Sequence, residues 1–391
     1  MIRSIAQVNV RLSEGGAAGV ARAIANGLEQ RGIASPFVYG YGPGGGDSPL
    51  DAEYDSLRLT SMPVAGVNRL AYRTIGRETE LRSRRKWKQL SDLIAGVDIV
   101  HLHAIHTFFV STRALFGLLR DAGKPVVWTF HDQWAMTGRC AQPAGCTLWE
   151  TGCSRCPDLK AYPEAWMDHA GRRWKERRRL IAGLQAEVPT AIVACADWLG
   201  EAAARAGFEN VHTVTNSLDT AFWSEATSGN IERRAGSSLF VCRDLRDPQK
   251  VDWDVLGRVA DIPDQRLTIV GDNAPIVLPG VEYLPAIGDR AELARLMRGR
   301  ERLIFTSKVD YYPLTVAEAV TAGMDVYAVD SPAARELAAH GNVRTFADPG
   351  DLVEAMTAST GPRSGDADAS AFQPGRMIDD YVRIYEDLVQ R

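Results

Sequence analysis

Apolar positions in this chain alternate between short continuous runs and longer stretches in which they recur every three or four residues. Residues 2–10 read as a strand, Ser13, Glu14, Gly15 and Gly16 as a turn, and residues 17–31, stopped by Gly32, as a helix. Residues 36–41 form the next predicted strand, and the Gly- and Pro-rich residues 42–49 a loop. The alternation continues with a strand at 97–103 (VDIVHLH), a helix at 112–122 and a strand at 125–131 (PVVWTFH). The unbroken apolar character of the last suits a parallel sheet buried on both faces. A strand at 191–195 (AIVAC), a helix with Trp198 and Leu199, and the strand-like VHTVT complete the first series. A second begins with LFVCR, RLTIVG, RLIFTS and DVYAV, at 239–243, 266–271, 302–307 and 325–329. In residues 376–390, Met377, Ile378, Tyr381, Ile384, Tyr385 and Leu388 recur at helical spacing and require a surface to pack on. Strands alternating with helices predict an α/β fold with two Rossmann-like, doubly wound domains. Their expected bounds are 1–215, with the helix at 376–391 packing back on it, and 216–375. Such domains carry phosphorylated ligands at the C-terminal ends of their strands, here expected to face each other across a cleft.

Length agrees: 391 residues exceed one ordinary core and suit two. Hydrophobic residues at 45%, charged residues at 24% and a mean hydropathy of -0.17 describe a soluble globular chain. No stretch approaches the roughly 20 apolar residues that cross a bilayer. The N-terminal run is too short for the core of a secretion signal, so a cytoplasmic location is expected. The net charge of -4 hides an asymmetry, with 25 Lys and Arg against 18 Asp and Glu through Pro189 and 20 against 31 beyond it. No basic face extends across the chain, and nucleic acid is not an expected partner. Cations gather locally at 82–88 (RSRRKWK) and 172–179 (RRWKERRR). Each reads either as a solvated helix face or as a contact for an anionic leaflet or a phosphorylated acceptor.

Candidate chemistry begins at Asp310, in DYYPLTVAE. Pro313 suits the start of a helix and Gly323 its stop, so the backbone N–H groups of Leu314 and Thr315 are free to hold a phosphate. Glu318 could accept hydrogen bonds from a ribose, and Asp310 from sugar hydroxyls; the plainer reading is a helix with ordinary capping acids. Cys140, Cys146, Cys153 and Cys156 form a C-x5-C-x6-C-x2-C cluster. In a reducing compartment such a cluster is either a structural zinc site or a set of thiols, free or paired.

An acid, seven residues, then Glu before a small-residue helix resembles the signature of the group 1 glycosyltransferases, glycosyltransferase family 4, with Asp310 where the first acid is usually Glu. DIVHLHAIHTFF and KPVVWTFHDQWAMTGRCAQPAGCTLWETGCSRCP resemble the colanic-acid and surface-polysaccharide subgroup, in which a His-Asp-x-Trp run and four cysteines recur. NSLDTAFW resembles the hinge segment, with Ser217 for Gly, and FVCRDLRDPQKVDWDVL the segment that supplies Arg and Lys to the donor diphosphate, with Val251 for Gly. The resemblance implies a GT-B fold and a retaining, metal-independent transfer of a sugar from a UDP- or GDP-linked donor. It implies catalytic roles for His131, Arg243, Lys250, Asp310 and Glu318, and donor contacts at Gly15, Gly16, Asn216, Leu314 and Thr315. The acceptor side would include His103, Asp132 and Trp134; an equally plain reading of His103 is a strand-end histidine satisfying backbone groups. The expected acceptor is a small molecule, a lipid-linked intermediate or a saccharide in surface-polysaccharide or natural-product assembly, with no catalytic cofactor and peripheral membrane contact through the basic stretches. The competing reading is a nucleotide-sugar-binding or scaffold protein of the same fold whose site has decayed.

Overall fold

The computed structural model describes residues 1–42, 53–76, 78, 81–106, 108–229, 232–358 and 368–390. The loop expected at 42–49 lies, beyond Gly42, outside the described residues, as does Thr107 of the DIVHLHAIHTFF stretch. The chain divides into two compact units, Met1–Val214 with Met377–Arg391, and Thr215–Arg376.

In the first unit the elements run β1 (Ile5–Asn9), α1 (Gly16–Glu29), β2 (Phe37–Tyr39), β3 (Ser56–Arg58), α2 (Met62–Ile75), α3 (Arg84–Gly96), β4 (Ile99–Leu102), α4 (Thr112–Ala122), β5 (Val126–Phe130), α5 (Ala170–Glu187), β6 (Thr190–Ala194), α6 (Asp197–Arg205) and β7 (Val211–Thr213). All strand pairs are parallel, in the order β3-β2-β1-β4-β5-β6-β7. Each residue of β1, β4, β5 and β6 is buried, which is why these strands lack the alternation of a half-exposed sheet. Local signals set the helix limits: the Ser111 side chain accepts from the Ala114 N–H, and Gly123, at φ 61°, ends α4 in the left-handed conformation.

The second unit contains α7 (Thr220–Ala226), β8 (Ser237–Asp244), α8 (Trp253–Ala260), β9 (Arg266–Asp272), β10 (Glu282–Leu284), α9 (Arg290–Arg298), β11 (Arg302–Phe305), α10 (Leu314–Thr321), β12 (Asp325–Val329), α11 (Pro332–Leu337), β13 (Val343–Phe346) and α12 (Pro349–Ala358). Its parallel sheet has the order β10-β9-β8-β11-β12-β13. The last helix, α13 (Arg376–Gln390), belongs to the first unit from Met377 onward. There Met377, Ile378, Tyr381, Ile384, Tyr385 and Leu388 share one core with Ile5, Ile24 and Leu28.

Three strands escaped the sequence reading: β3, β10 and β13. All are short, and none is fully buried. Each closes an edge of its sheet, where one side of the strand has no partner and polar residues are tolerated, so the apolar signal is missing.

In both sheets the strand order reverses next to the first strand of the unit, between β1 and β4 and between β8 and β11. At such a point the connections leave the sheet in opposite directions and open a crevice at the strands' C-terminal ends. The predicted site residues of each unit gather there.

Candidate functional site

In the second unit, β8 leads to Lys250 and β11 to Asp310. Lys250 Nζ lies 3.0 Å from Asp310 Oδ1. The contact is built by the backbone. Asp247 closes a turn by accepting from the Gln249 N–H (2.9 Å), and Thr306, just past β11, donates its hydroxyl to the Lys250 carbonyl (2.7 Å) while accepting from the Asp252 N–H (3.1 Å). Thr306 thus latches the lysine loop to the strand that feeds Asp310. Burial works against the Lys250 ammonium, and the adjoining Asp310 carboxylate outweighs it, holding the lysine pKa above its ordinary value.

Arg243 is on β8, where the register with β9 shifts between Val241 and Asp244. Such a bulge re-aims side chains. It leaves Arg243 exposed, whereas nearby Arg246 is forked onto Asp244 at 2.9 and 2.8 Å. Gly271 of β9 accommodates the bulge: a Cβ there would stand 1.9 Å from the Cys242 carbonyl oxygen.

After Asp310 the chain turns at Pro313, which stands as the N-cap of α10, one position ahead of the place expected for it. The Val316 N–H bonds back to the Pro313 carbonyl (3.0 Å), so the N–H groups of Leu314 and Thr315 precede the first internal bond of the helix. Glu318 follows one turn later, 3% exposed and ion-paired with Arg290 at the start of α9. Burial pushes its carboxyl up to about 7, against the pull of the Arg290 guanidinium. Sequence reasoning found Glu318 and missed Arg290, whose only trace is the Asp289 capping signal one residue before it. Asn216 is buried, and its Oδ1 has no partner among the described residues.

In the first unit Gly15, at φ 91°, occupies the left-handed region ahead of α1, and no atom lies within 4 Å of a Cβ built on it or on Gly16. The loop after β1 is therefore open above its glycines, with a backbone conformation that a side chain would strain. His103 follows β4 and His131 follows β5. His103 Nδ1 lies 3.0 Å from His131 Nε2, and His103 Nε2 lies 2.9 Å from Gln7 Oε1 of β1. The plainer expectation, a strand-end histidine on backbone groups, does not hold for the His103 ring: both its nitrogens meet side chains. Beneath them, His101 bonds Thr129 Oγ1 (2.7 Å) and the Tyr385 hydroxyl (2.7 Å), and Thr129 bonds the Tyr381 hydroxyl (2.8 Å). Burial keeps His101 and His103 well below the ordinary histidine pKa and brings His131 down to about 4.

A shallow hollow open to solvent is lined by His103, His106, His131, Asp132 and Trp134 among others. Asp132 is 2.8 Å from His106 Nε2 and accepts from the Trp134 N–H (2.8 Å). Burial opposes the Asp132 carboxylate, but His106 and the Trp134 N–H hold its pKa below the usual value. Trp134 is buried, with the Arg177 guanidinium 3.6 Å above its ring.

Arg177 corrects the reading of residues 172–179 as a solvated or docking face. Arg173 and Arg177 turn inward: Arg173 pairs with Glu78 and donates to the Gly76 carbonyl (2.8 Å), and Arg177 donates to the Trp134 carbonyl (2.6 Å). Helical spacing puts residues four apart on one face, so two of the six cations of a basic run can be structural.

The four cysteines carry free thiols. Among the described residues no three His, Cys, Asp or Glu side chains are grouped so as to hold a metal ion, these four included. Cys153 Sγ accepts from the Gly138 N–H at 3.1 Å, and Cys156 Sγ meets the Asp158 carbonyl at 3.4 Å. As placed, the set does not fit a zinc site. The loop is instead gathered by Arg139, 2% exposed, which donates to the carbonyls of Ala161 (2.7 Å), Asp158 and Pro163.

Residues 14–222 match the family model described as Glycosyltransferase Family 4. The chain is 29% identical over 414 residues to the colanic acid biosynthesis glycosyl transferase WcaC of Escherichia coli (strain K12), across 98% of this chain and 100% of that protein. Solved structures of the same fold include Anabaena HepE in complex with UDP and glucose, with a TM-score of 0.59 at 15% identity over 100% of this chain and 99% of that one. The pneumococcal O-GlcNAc transferase GtfA, in complex with UDP and GlcNAc, gives 0.62 at 10% identity over 100% of both chains.

Proposed function

The chain belongs to Glycosyltransferase Family 4, and from that premise we propose that it transfers a sugar from a UDP- or GDP-linked donor, without a metal ion and with retention of anomeric configuration. It is a glycosyltransferase of GT-B fold, similar throughout its length to a protein named for surface-polysaccharide assembly. The acceptor in this reading is a saccharide or lipid-linked intermediate of surface-polysaccharide or natural-product assembly, met at the cytoplasmic membrane face.

The observation that carries the reading is the Lys250–Asp310 pair at the β8/β11 reversal, just ahead of the α10 N-terminus. Cleavage of the glycosyl–phosphate bond leaves a diphosphate with growing negative charge. Lys250 and Arg243 supply fixed cations to it, and the N–H groups of Leu314 and Thr315 add the positive end of a helix dipole, so the charge is met without a divalent ion. Arg forks across two phosphate oxygens; Lys acts as a point charge. Once phosphate competes for Lys250, Asp310 is released towards sugar hydroxyls. Glu318 takes the ribose, Asn216 and the Gly15-Gly16 loop border the donor, and His131 touches the sugar. Retention follows if the departing phosphate oxygen takes the acceptor's proton on the face it leaves, which needs no carboxylate nucleophile. The UDP in the two solved neighbours supports a nucleotide diphosphate in this fold.

The test is donor turnover by the purified protein in chelator, with the product anomer read by NMR. Turnover in chelator that Lys250→Ala abolishes supports the reading. Strict dependence on added metal, or an inverted product, overturns it.

A further inference from the structure

On the face of the first sheet that α13 covers, the side chains change character along the strands. Ile5, Ile99 and Val127, on β1, β4 and β5, belong to the apolar core shared with α13. Two residues further along each strand, and so on the same face, stand Gln7, His101 and Thr129, all buried. Two further again, past the ends of β4 and β5, are His103 and His131. Polar side chains at the centre of a parallel sheet destabilise it unless their donors and acceptors are met. Here α13 meets them. Tyr381 and Tyr385, one turn apart and fully buried, bring their hydroxyls to Thr129 Oγ1 (2.8 Å) and His101 Nδ1 (2.7 Å). Packing alone asks only for phenylalanine at either place.

The hydrogen bonds run in one direction. Ser35 gives its hydroxyl proton to the Ile5 carbonyl (3.2 Å) and accepts one N–H of the Gln7 amide, whose oxygen faces His103 Nε2. Gln7 also bonds the Tyr385 hydroxyl, and this contact favours the ionised phenol, which marks Gln7 as the donor. The second amide N–H therefore ends on Tyr385 Oη, and Tyr385 gives its own proton to His101 Nδ1. His101, kept neutral by burial, carries its proton on Nε2 and donates it to Thr129 Oγ1 (2.7 Å). Its ring lies 4.1 Å from that of His103, which stacks in turn at 5.3 Å on His131.

We propose that Tyr385 is a positioning residue for His131: its hydroxyl holds the Gln7 amide from one side while Ser35 holds it from the other, which keeps the amide oxygen on His103 and the proton of His131 on Nε2. Without the hydroxyl, a turned amide presents N–H to His103 Nε2. The His103 proton then moves to Nδ1 and that of His131 to its own Nδ1, so the nitrogen left for the sugar becomes a donor. The C-terminal helix thus sets the polarity of the atom that meets the sugar. The consequence for turnover rests on the proposed transfer; the proton arrangement does not.

Imidazole nitrogen NMR of the full chain, with no donor present, tests this. In the wild type His101, His103 and His131 are each expected to carry the proton on Nε2. Tyr385→Phe keeps the ring and removes the hydroxyl; His131 is expected to become a mixture of tautomers, and kcat to fall at least about ten-fold with the donor KM within about three-fold. Tyr381→Phe makes the same deletion one turn away, leaves Gln7 and His101 Nδ1 bonded, and is expected to keep His131 on Nε2. A wild-type His101 protonated on Nδ1 overturns the proposal, and that measurement needs no variant to fold. A His131 tautomer unmoved in Tyr385→Phe, or moved equally by Tyr381→Phe, reduces the hydroxyl to packing and overturns it too. So does a mixed tautomer with kcat unchanged. The NMR measurement contains no donor, so a chain that transfers no sugar leaves the proton arrangement standing.

Discussion

His103 fixes the proton position of His131. Gln7 donates its amide N–H to Ser35 Oγ at 3.2 Å, so the atom it turns to His103 Nε2 is its carbonyl oxygen, which only accepts. His103 therefore carries its proton on Nε2. Burial keeps the ring neutral, which leaves Nδ1 a lone pair, and His131 Nε2 must donate to it. His131 is then left with Nδ1 as an acceptor. A sugar hydroxyl satisfies that atom and a carboxylate does not, so a neutral hexose donor is expected to outcompete the corresponding uronate. Imidazole nitrogen NMR shifts are expected to show the Nε2–H tautomer of His131 in the wild type and a mixture in His103→Phe, with turnover about a hundred-fold lower. A His131 tautomer indifferent to that substitution removes His103 from the positioning role.

The buried histidines tie stability to pH. His131 has a folded pKa of about 4, below its unfolded value near 6.5, because burial disfavours the cation, and His101 and His103 are displaced the same way. The stability they contribute is complete above pH 6.5 and is lost as pH falls from there towards 4, by about 1.4 kcal/mol per pH unit for each. Urea midpoints are expected to drop between pH 7 and 5, less steeply in His101→Asn. A flat profile contradicts the neutral assignment.

Glu318 runs in the opposite sense. Its folded pKa of about 7 exceeds the ordinary value, so its contribution to stability is complete below about 4.5 and is lost as pH rises through 7. The ionised form accepts from ribose, so UDP or GDP affinity is expected to rise through pH 7 by calorimetry. Arg290→Gln removes the group that lowers this pKa and is expected to move the inflection upward. An unmoved inflection would detach Arg290 from the nucleotide site.

Lys250→Ala is expected to lower turnover about 10²- to 10³-fold, the scale for removing one preorganised contact to developing charge. Its Tm is expected to stay near that of the wild type, because Lys250 side-chain exposure is 39% and half-exposed pairs add little. Thr306→Val breaks the latch on the Lys250 loop and is expected to reduce kcat more than KM. Wild-type turnover in Lys250→Ala would remove Lys250 from the donor site, whereas nucleotide binding without turnover in the wild type would favour the competing scaffold reading.

Arg139, rather than a metal, is expected to hold the cysteine-rich loop. Arg139→Leu strands three carbonyls and is expected to cost about 3 kcal/mol, whereas Cys140→Ser with Cys146→Ser shifts Tm little. Stoichiometric zinc by elemental analysis, with a collapse of Tm in the cysteine variant, would return the loop to metal.

Wherever a signal was local, the sequence determined the outcome. Continuous apolar runs marked β5 and β12, a serine and a glycine bounded α4, helical spacing marked the buried stripe of α13, and an acid separated from Glu318 by seven residues pointed to family 4. Local signals do not record which side chain meets which across the fold. The Lys250–Asp310 and Arg290–Glu318 pairs, and the path from Gln7 through His103 to His131, join residues on different strands and helices, and their separations follow from sheet order. Nor could hydrophobic spacing tell that two of the six cations of the basic run on α5, Arg173 and Arg177, face in. Burial is a property of the surface a helix meets, and only the packed chain supplies that surface.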